Sequence, residues 1–129
     1  MTAAKVLLAL GLMTSSAWAA PISGTASWYD IASTVREGTG GSAHLTASGE
    51  PLNDAALTCA LRSHQFGQSY RVCRVDQPSR CVVVRHNDFG PGRRPTSRGV
   101  VIDLSRAAFL ALSPLTHGLV NVTVERVTP

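Results

Sequence analysis

Five short β-type segments, each with turn residues beside or within it, limit the fold of this chain more than any other feature of its sequence. They cover residues 24–30, 69–75, 80–86, 98–104 and 118–127. Repeated short strands between turns are typical of β-sandwiches and β-barrels. Only residues 106–113 predict a regular helix, because Ser105 can cap its start and Pro114 ends it. We therefore expect a mainly β fold, a small closed barrel with one or two short helices.

The segments between these strands predict loops and turns. Residues 31–44 are polar and glycine-rich, which indicates a surface loop, and residues 45–53 contain a Ser-Gly turn. Residues 54–57 could form a single helical turn capped by Asn53 or Asp54. Residues 80–86 are apolar almost throughout and therefore predict a central strand.

The N-terminus has the layout of a secretory signal peptide. Lys5 precedes an apolar run, residues 6–13, that is too short to span a bilayer, and Ala17 and Ala19 flank Trp18 as in a peptidase site. We expect a signal peptide over residues 1–19 and one domain over residues 20–129; the alternative is an N-terminal core helix. No cysteine lies at the cut, so we expect no membrane anchor in the mature chain and a place in the periplasm, the cell envelope or outside the cell.

The charge balance is mildly basic. The chain has 12 Lys and Arg residues, 8 Asp and Glu residues and a formal net charge of +4. Such a charge suits a polyanionic neighbour such as a cell wall, although it also serves plain solubility. Export argues against nucleic acid as a partner, and we expect the protein to be a monomer.

Three cysteines in an exported chain predict one disulfide and one thiol. Cys73 and Cys81 flank a turn-type cluster, residues 76–79, so two strands joined there would bring them opposite each other. Cys59 lies in an apolar stretch and is expected to be buried and free.

Three acids are candidates for chemistry, each with a structural alternative. Asp88 follows a buried strand in "RHNDFGPG", and it could serve as a general acid at the barrel rim or form an Asx-type turn before Gly90-Pro91. Asp103 precedes a helix, where a carboxylate is favoured by the helix dipole. Glu50 follows Gly49 in an exposed turn, where an isolated Glu usually serves solvation.

Other constellations are absent from the sequence. The four histidines are not spaced as metal ligands, there is no Cys-x-x-Cys pair, and no nucleotide-binding fingerprint occurs. We expect neither a metal nor a cofactor. Trp28 and Tyr29 are consecutive, so on a strand one faces the core and the other could form a platform for a sugar ring.

Taken together and in order, the motifs of this chain resemble those of the RlpA (rare lipoprotein A) family. They are "ASWYD" (26–30), "TASGE" (46–50), "ALTCA" (56–60), "FG" (66–67), "NDFGPG" (87–92) and "IDLSRAAF" (102–109). The resemblance implies a six-stranded double-psi β-barrel, like that of expansins and barwin-like proteins. It also implies a lytic transglycosylase of the envelope that cleaves peptidoglycan glycan strands at the MurNAc-GlcNAc bond and leaves a 1,6-anhydro product.

The resemblance also assigns roles to single residues. Asp88 and Glu50 match the family's acids in its N-D-R-G-P and T-A-S-G-E motifs, and we take them as the catalytic candidates. Asp103 matches the acid of the I-D-L-S segment, and it joins Tyr29, Trp28 and His64 as candidates for substrate binding. The roles of Asp88, Glu50 and Asp103 carry family positions over onto the matching residues of this chain. Tyr29 and Trp28 are candidates because one of them could stack on a sugar ring, and His64 because it lies three residues after the position of the family's His.

The chain also departs from the family pattern. Leu61 stands where the family has a His, with His64 three residues later. Asp30 replaces a Gly and Phe89 an Arg, and no glycan-binding repeat follows the barrel. These departures keep a second interpretation open, that of a non-catalytic, expansin-like module that binds cell-wall glycan.

Overall fold

The computed structural model describes residues 20–39, 41 and 44–128 of the chain. Within them the strands are β1 (Ile22–Tyr29), β2 (Thr58–Leu61), β3 (Ser69–Arg74), β4 (Cys81–Phe89), β5 (Val100–Ser105) and β6 (Val120–Arg126). The helices are α1 (Ile31–Glu37), α2 (Arg93–Ser97) and α3 (Arg106–Leu112), and a 3₁₀ turn covers Leu115–His117.

The strands form a closed barrel in the order β1-β5-β2-β4-β3-β6, which returns to β1. Strand β1 is parallel to β5 and β2 is parallel to β4, whereas the other neighbours are antiparallel. This is the expected mainly β fold, a six-stranded double-psi β-barrel with short helices. Closure pairs both edges of each strand, so no strand edge of the barrel is left open.

The core fills the inside of the barrel with side chains from alternate strand positions. Val82 and Val84 of β4 are buried, whereas Val83 between them is 46% exposed, so β4 buries only one face despite its apolar sequence. Helix α3 covers one side of the barrel and buries Phe109 and Leu112 completely. Burying an aromatic or leucine side chain contributes about 1.5–3 kcal/mol, which explains why this short helix is stable only on the barrel.

The structure differs from the sequence expectations in its short elements. Helix α1 occupies residues 31–37, the first half of the predicted loop, because Asp30 and Ser33 form a capping box and Gly38 ends the helix with a left-handed backbone at φ 69°. Strand β2 and helix α2 were not expected. Residues 54–57 form a non-helical turn in place of the predicted helical turn. The predicted strands and helix α3 are present, with bounds shifted by a few residues.

The cysteines have the expected arrangement, with a disulfide between Cys73 and Cys81 and a buried, free Cys59. The bridge joins directly paired residues of β3 and β4. The predicted signal peptide, residues 1–19, lies outside the described residues, so it remains a prediction together with the domain boundary after it. Among the helices of the described residues, none has the length and apolar character needed to cross a membrane.

Candidate active site

A cavity of about 310 Å³, here called the outer groove, lies on the outside of the barrel. Its floor is formed by Tyr29, Ala60, Asp88 and Asp103, and residues of α1 and of the segment 44–52 form its rim. The strand register explains why these residues meet. Ala60 of β2 pairs with Asp88 on the parallel side and with Asp103 on the antiparallel side. The two acids therefore flank one small side chain, with about 10 Å between their Cα atoms, as expected for strands two positions apart.

Asp88 makes long-range contacts that an Asx turn does not require. The Tyr29 hydroxyl donates to Oδ2 over 2.9 Å, and the backbone N–H groups of Ala47 and Phe89 donate to Oδ1 over 2.8 and 2.9 Å. The N–H of Gly90, which an Asx turn would use, donates to the carbonyl of Leu61 instead. Asp88 therefore ties β1 and the segment 44–52 to the end of β4.

Asp103 has an environment that favours the protonated carboxyl group. Burial, which is the largest cause, and the nearby charges of Asp88 and Glu37 together raise its pKa to about 7, although a hydrogen bond from Ser27 opposes them. The Ser27 hydroxyl donates to Oδ1 of Asp103 over 3.1 Å. A carboxyl group with this pKa holds a proton in a large fraction of molecules at neutral pH, as a general acid must.

Tyr29 and Trp28 lie on opposite faces of β1, as consecutive strand residues do. Burial, with the charge and hydrogen bond of Asp88, raises the pKa of Tyr29 far above its ordinary value, so its hydroxyl remains a donor. The Trp28 ring instead packs at 6.4 Å from Phe109, and its Nε1–H donates to the carbonyl of Leu115 over 3.1 Å. The structure therefore brings Tyr29 into the groove and keeps Trp28 on the core side.

Glu50 lies outside the lining of the groove and forms an ion pair. Both its carboxylate oxygens accept hydrogen bonds of 2.6 Å from Arg85, and Asn87 donates to Oε2 over 3.3 Å. The hydrogen bonds from Arg85 and Asn87 lower the pKa of Glu50, so this residue is ionised and unsuited to the role of general acid. The pair holds the segment 44–52 against β4, and the same segment supplies the Ala47 N–H to Asp88.

His64 does not enter the groove floor either. Its ring stacks on Phe89 with 4.7 Å between ring centroids and an interplanar angle of 18°. The Arg62 guanidinium carbon lies 5.3 Å from the Phe89 centroid, so Phe89 has two partners while remaining 40% exposed at the groove rim. Leu61, at the family's His position, packs against the hydrophobic core and does not line the groove.

Two groove residues were missed by the sequence analysis. His44 lines the groove with a positive φ of 50°, and its Nδ1 is buried with no hydrogen-bond partner among the described residues. Glu37, the last residue of α1, also lines the groove. Neither residue belongs to a motif in the sequence. Glu37 could not be placed because α1 was not predicted, and His44 lies in a segment that the sequence identifies only as a loop. Across the described residues, no three His, Cys, Asp or Glu side chains are grouped so that they could hold a metal ion.

The groove thus combines a carboxyl group that is protonated near neutral pH with a second carboxyl group that accepts three hydrogen bonds. These two carboxyl groups lie on either side of Ala60. They are suited to acid–base chemistry on a substrate whose reacting bond lies over Ala60.

Comparison with known proteins gives one family and several similar relatives. The model of the lytic transglycolase family matches residues 22–124. The chain is 41% identical over 99 residues to a protein of Nostoc sp. named "Probable endolytic peptidoglycan transglycosylase RlpA", an alignment that covers 77% of this chain and 25% of that protein. It is 33% identical over 106 residues to "Endolytic peptidoglycan transglycosylase RlpA" of Vibrio cholerae, which covers 82% of this chain and 35% of the relative. The chain therefore spans only about a quarter to a third of these relatives.

Solved structures agree on the fold. A Streptomyces papain inhibitor superposes with a TM-score of 0.61 at 23% identity, over 84% of this chain and 96% of the inhibitor. An expansin of Clavibacter michiganensis superposes with a TM-score of 0.59 at 20% identity, over 84% of this chain and 51% of the expansin. These structural likenesses show the fold alone. The family model matches residues 22–124, and by that match the chain belongs to the lytic transglycolase family.

Proposed function

We propose that this chain is an endolytic lytic transglycosylase that cleaves peptidoglycan glycan strands at the MurNAc-GlcNAc bond and leaves a 1,6-anhydro end. The observation that supports it most is the pair of Asp103 and Asp88 on either side of Ala60, with the pKa of Asp103 raised to about 7. The names of the Nostoc and Vibrio relatives give the reaction and its polymer.

The reaction needs one proton donor, one proton acceptor and an internal nucleophile. Asp103 in its protonated form donates to the glycosidic oxygen as the bond to the anomeric carbon breaks. The 6-hydroxyl of the same muramic sugar then attacks that carbon, and the Asp103 carboxylate takes its proton and returns to the starting state. Water does not take part, so the wide pair of carboxylates of an inverting hydrolase is unnecessary.

The other groove residues support this step. Asp88 faces the positive charge that develops at the anomeric carbon, and its hydrogen bonds from Tyr29 and Ala47 keep it in place. The sequence favoured Asp88 as the acid. The structure favours Asp103 instead, because burial is the largest cause that raises the pKa of its carboxyl group to about 7. Glu50 acts through Arg85 and the segment 44–52, as a positioning residue.

The substrate enters along the rim that carries Phe89. An exposed aromatic ring held by His64 and Arg62 offers an apolar surface for a sugar ring of the strand. The enzyme acts outside the cytoplasm as an exported monomer, in keeping with the signal-peptide layout of residues 1–19.

A second function, glycan binding without cleavage, is favoured by one observation. Leu61 occupies the position where the resembled family has a His. If that imidazole is required for proton transfer, the groove would hold a strand and leave it intact.

Digestion of purified glycan strands distinguishes the two functions. We expect the exported protein to release fragments with 1,6-anhydro ends, detected by mass spectrometry, and Asp103→Asn to release none while still binding strands in a pull-down. Asp76→Asn is the matched control, because Asp76 pairs with Arg74 on an exposed hairpin away from the groove. Binding of strands by the wild type without any anhydro product would reject catalysis in favour of the binding module.

A further inference from the structure

A second cavity, here called the barrel mouth, opens at one end of the barrel with a volume of about 320 Å³. Its walls are apolar and come from the beginnings of β1 and β5 and the ends of β2 and β6; they include Ile22, Leu61, Val100, Val101 and Val124. None of its lining residues is shared with the outer groove. The barrel mouth is therefore a separate site, whose occupant does not depend on the proposed cleavage.

Among the described residues, the charged groups that line the barrel mouth are two arginines, Arg62 and Arg126, and no Asp or Glu. Arg126 donates from Nη2 to Gln68 over 2.6 Å, whereas its Nε is buried and has no hydrogen-bond partner within the described residues. A guanidinium has five N–H donors, so an acceptor brought by a ligand is favoured at the N–H groups of Arg126 that Gln68 does not occupy.

Arg62 is fixed on the other side of the barrel mouth. Its Nη1 donates to the carbonyl of Pro91 over 2.9 Å, which leaves its remaining N–H groups for another acceptor. The acid nearest in sequence to Arg126, Glu125, is paired with Arg71 over 3.4 Å and does not line the cavity. The site is thus cationic at its polar groups and apolar along its walls.

Leu61 makes the barrel mouth more apolar than the resembled family pattern would, because it replaces a His. Its side chain packs against the hydrophobic core and lines the barrel mouth. The departure that removes an imidazole therefore adds an aliphatic wall, which favours a ligand with a hydrocarbon part.

We propose that the barrel mouth binds a medium-chain alkyl carboxylate, that is, a free fatty acid. The hydrocarbon chain lies against Leu61, Val100 and Val124, and the carboxylate accepts hydrogen bonds from Arg126 and Arg62. Both parts are needed, since apolar burial supplies affinity and the guanidinium groups supply the charge preference. A cationic amphiphile of the same length meets two arginines and no carboxylate, and so it does not bind.

Titration of the purified exported protein with octanoate, followed by methyl chemical shifts, tests the proposal. We expect shifts of the Val100 and Val124 methyl groups, with Kd falling by up to about fourfold for each methylene added between hexanoate and decanoate. Acetate, octanol and octyltrimethylammonium are the ligand controls, and each should bind at least about tenfold more weakly than octanoate. Equal binding of octanol and octanoate, or shifts confined to the groove, would overturn the assignment.

Variants separate a specific site from adventitious adsorption of a detergent-like molecule. Arg126→Gln should weaken octanoate binding by about tenfold, since it removes the positive charge and the guanidinium donors. Arg71→Gln, an arginine on the same pair of strands but outside the cavity, should leave Kd unchanged. If both variants lose the same amount of affinity for octanoate, binding depends only on the net charge of the protein, and the proposed site is rejected. Tighter binding of an apolar tripeptide than of octanoate would reject a fatty acid as the occupant.

Discussion

The outer groove and the barrel mouth have nearly equal volumes, about 310 and 320 Å³, but opposite chemistry. Glu37, Asp88 and Asp103 line the groove, whereas the mouth has two arginines and no acid. Strand β2 contributes to both, because Ala60 lines the groove and the next residue, Leu61, lines the mouth. Two consecutive residues of one strand thus contribute to two different sites, one acidic and the other cationic and apolar.

The difference shows where this barrel can carry out proton chemistry. In the groove, burial and neighbouring acids raise the pKa values of Asp103 and Tyr29, so protons are held there near neutral pH. A guanidinium group is not a general acid or base in proteins, so the arginines of the mouth serve binding only. A change in the groove should therefore alter turnover. A change in the mouth should alter binding of a ligand without altering turnover, except at Arg62, which also contacts Phe89 of the groove.

The largest expected effect is that of Asp103→Asn on cleavage. Asn cannot donate or take the proton, so we expect a fall in the rate of anhydro-product release of about 10³-fold. The free energy of unfolding at pH 8 should rise at the same time, by about 1–3 kcal/mol, because the variant no longer buries an ionised carboxylate. Rate assays and urea unfolding give the two values. The control variant Asp76→Asn should leave the cleavage rate unchanged and should not raise the free energy of unfolding. A loss of stability together with activity would assign Asp103 a structural role.

The next effect is the dependence of cleavage on pH. In the proposed mechanism the active form has Asp103 protonated, so the rate should fall about tenfold for each pH unit above about 7. Stability follows the same direction: the contribution of Asp103 is full below its ordinary pKa of 3.8 and is lost as the pH rises through about 7. Octanoate binding at the mouth should stay constant between pH 6 and 9, since no Asp, Glu or His of the described residues lines it. A rate that rises through pH 7 would exclude Asp103 as the acid.

The fold could be predicted from sequence wherever burial imposed a pattern. Strand β6 alternates in sequence because its inward residues fill the barrel, and β4 could be recognised from its apolar run. Helix α3 has buried Phe109 and Leu112 between a serine cap and a proline. Helix α1 buries no residue, so it lacks an apolar stripe, and its only signal was the capping box of Asp30 and Ser33. Strand β2 has four residues, which is too short for alternation to be recognised.

The candidate site could be predicted only in part. The three acids could be named from motifs, but their roles depend on contacts between distant segments. Asp103 is a general-acid candidate because the barrel buries it beside Ser27, and Glu50 is ion-paired because the segment 44–52 folds back on Arg85. Since local sequence records neither contact, it could not separate these acids or reveal His44.

A smaller effect is expected from breaking the clamp of the segment 44–52. Glu50→Gln should lower the cleavage rate by about tenfold, because the ion pair with Arg85 no longer holds the segment whose Ala47 N–H donates to Asp88. Arg85→Gln breaks the same pair from the other side and should cause a similar loss. Parallel rate assays decide the point. A much larger loss in Glu50→Gln than in Arg85→Gln would show that Glu50 takes part in the chemistry directly.

Removal of the disulfide should affect stability and leave both cavities working. The Cys73–Cys81 bridge closes a short loop with a sequence separation of 8, so the double substitution to Ser should lower the free energy of unfolding by about 2–3 kcal/mol. Neither cysteine lines the groove or the mouth. Cleavage and octanoate binding of the folded variant should therefore match the wild type at 20 °C. Peptide mapping of the wild type without reduction checks the pairing, and a link to Cys59 would contradict it.

The smallest expected effect on cleavage is that of Leu61→His, which introduces the residue typical of the resembled family. The side chain at this position lines the barrel mouth, so the new imidazole should point away from Asp88 and Asp103 and change the cleavage rate by less than about twofold. Octanoate binding should weaken by about tenfold, because a polar ring replaces an aliphatic wall. Rate assays and titrations of the same preparation give both numbers. A large gain in cleavage would instead show that the groove and the mouth form one functional site, and that the wild type lacks an imidazole its chemistry requires.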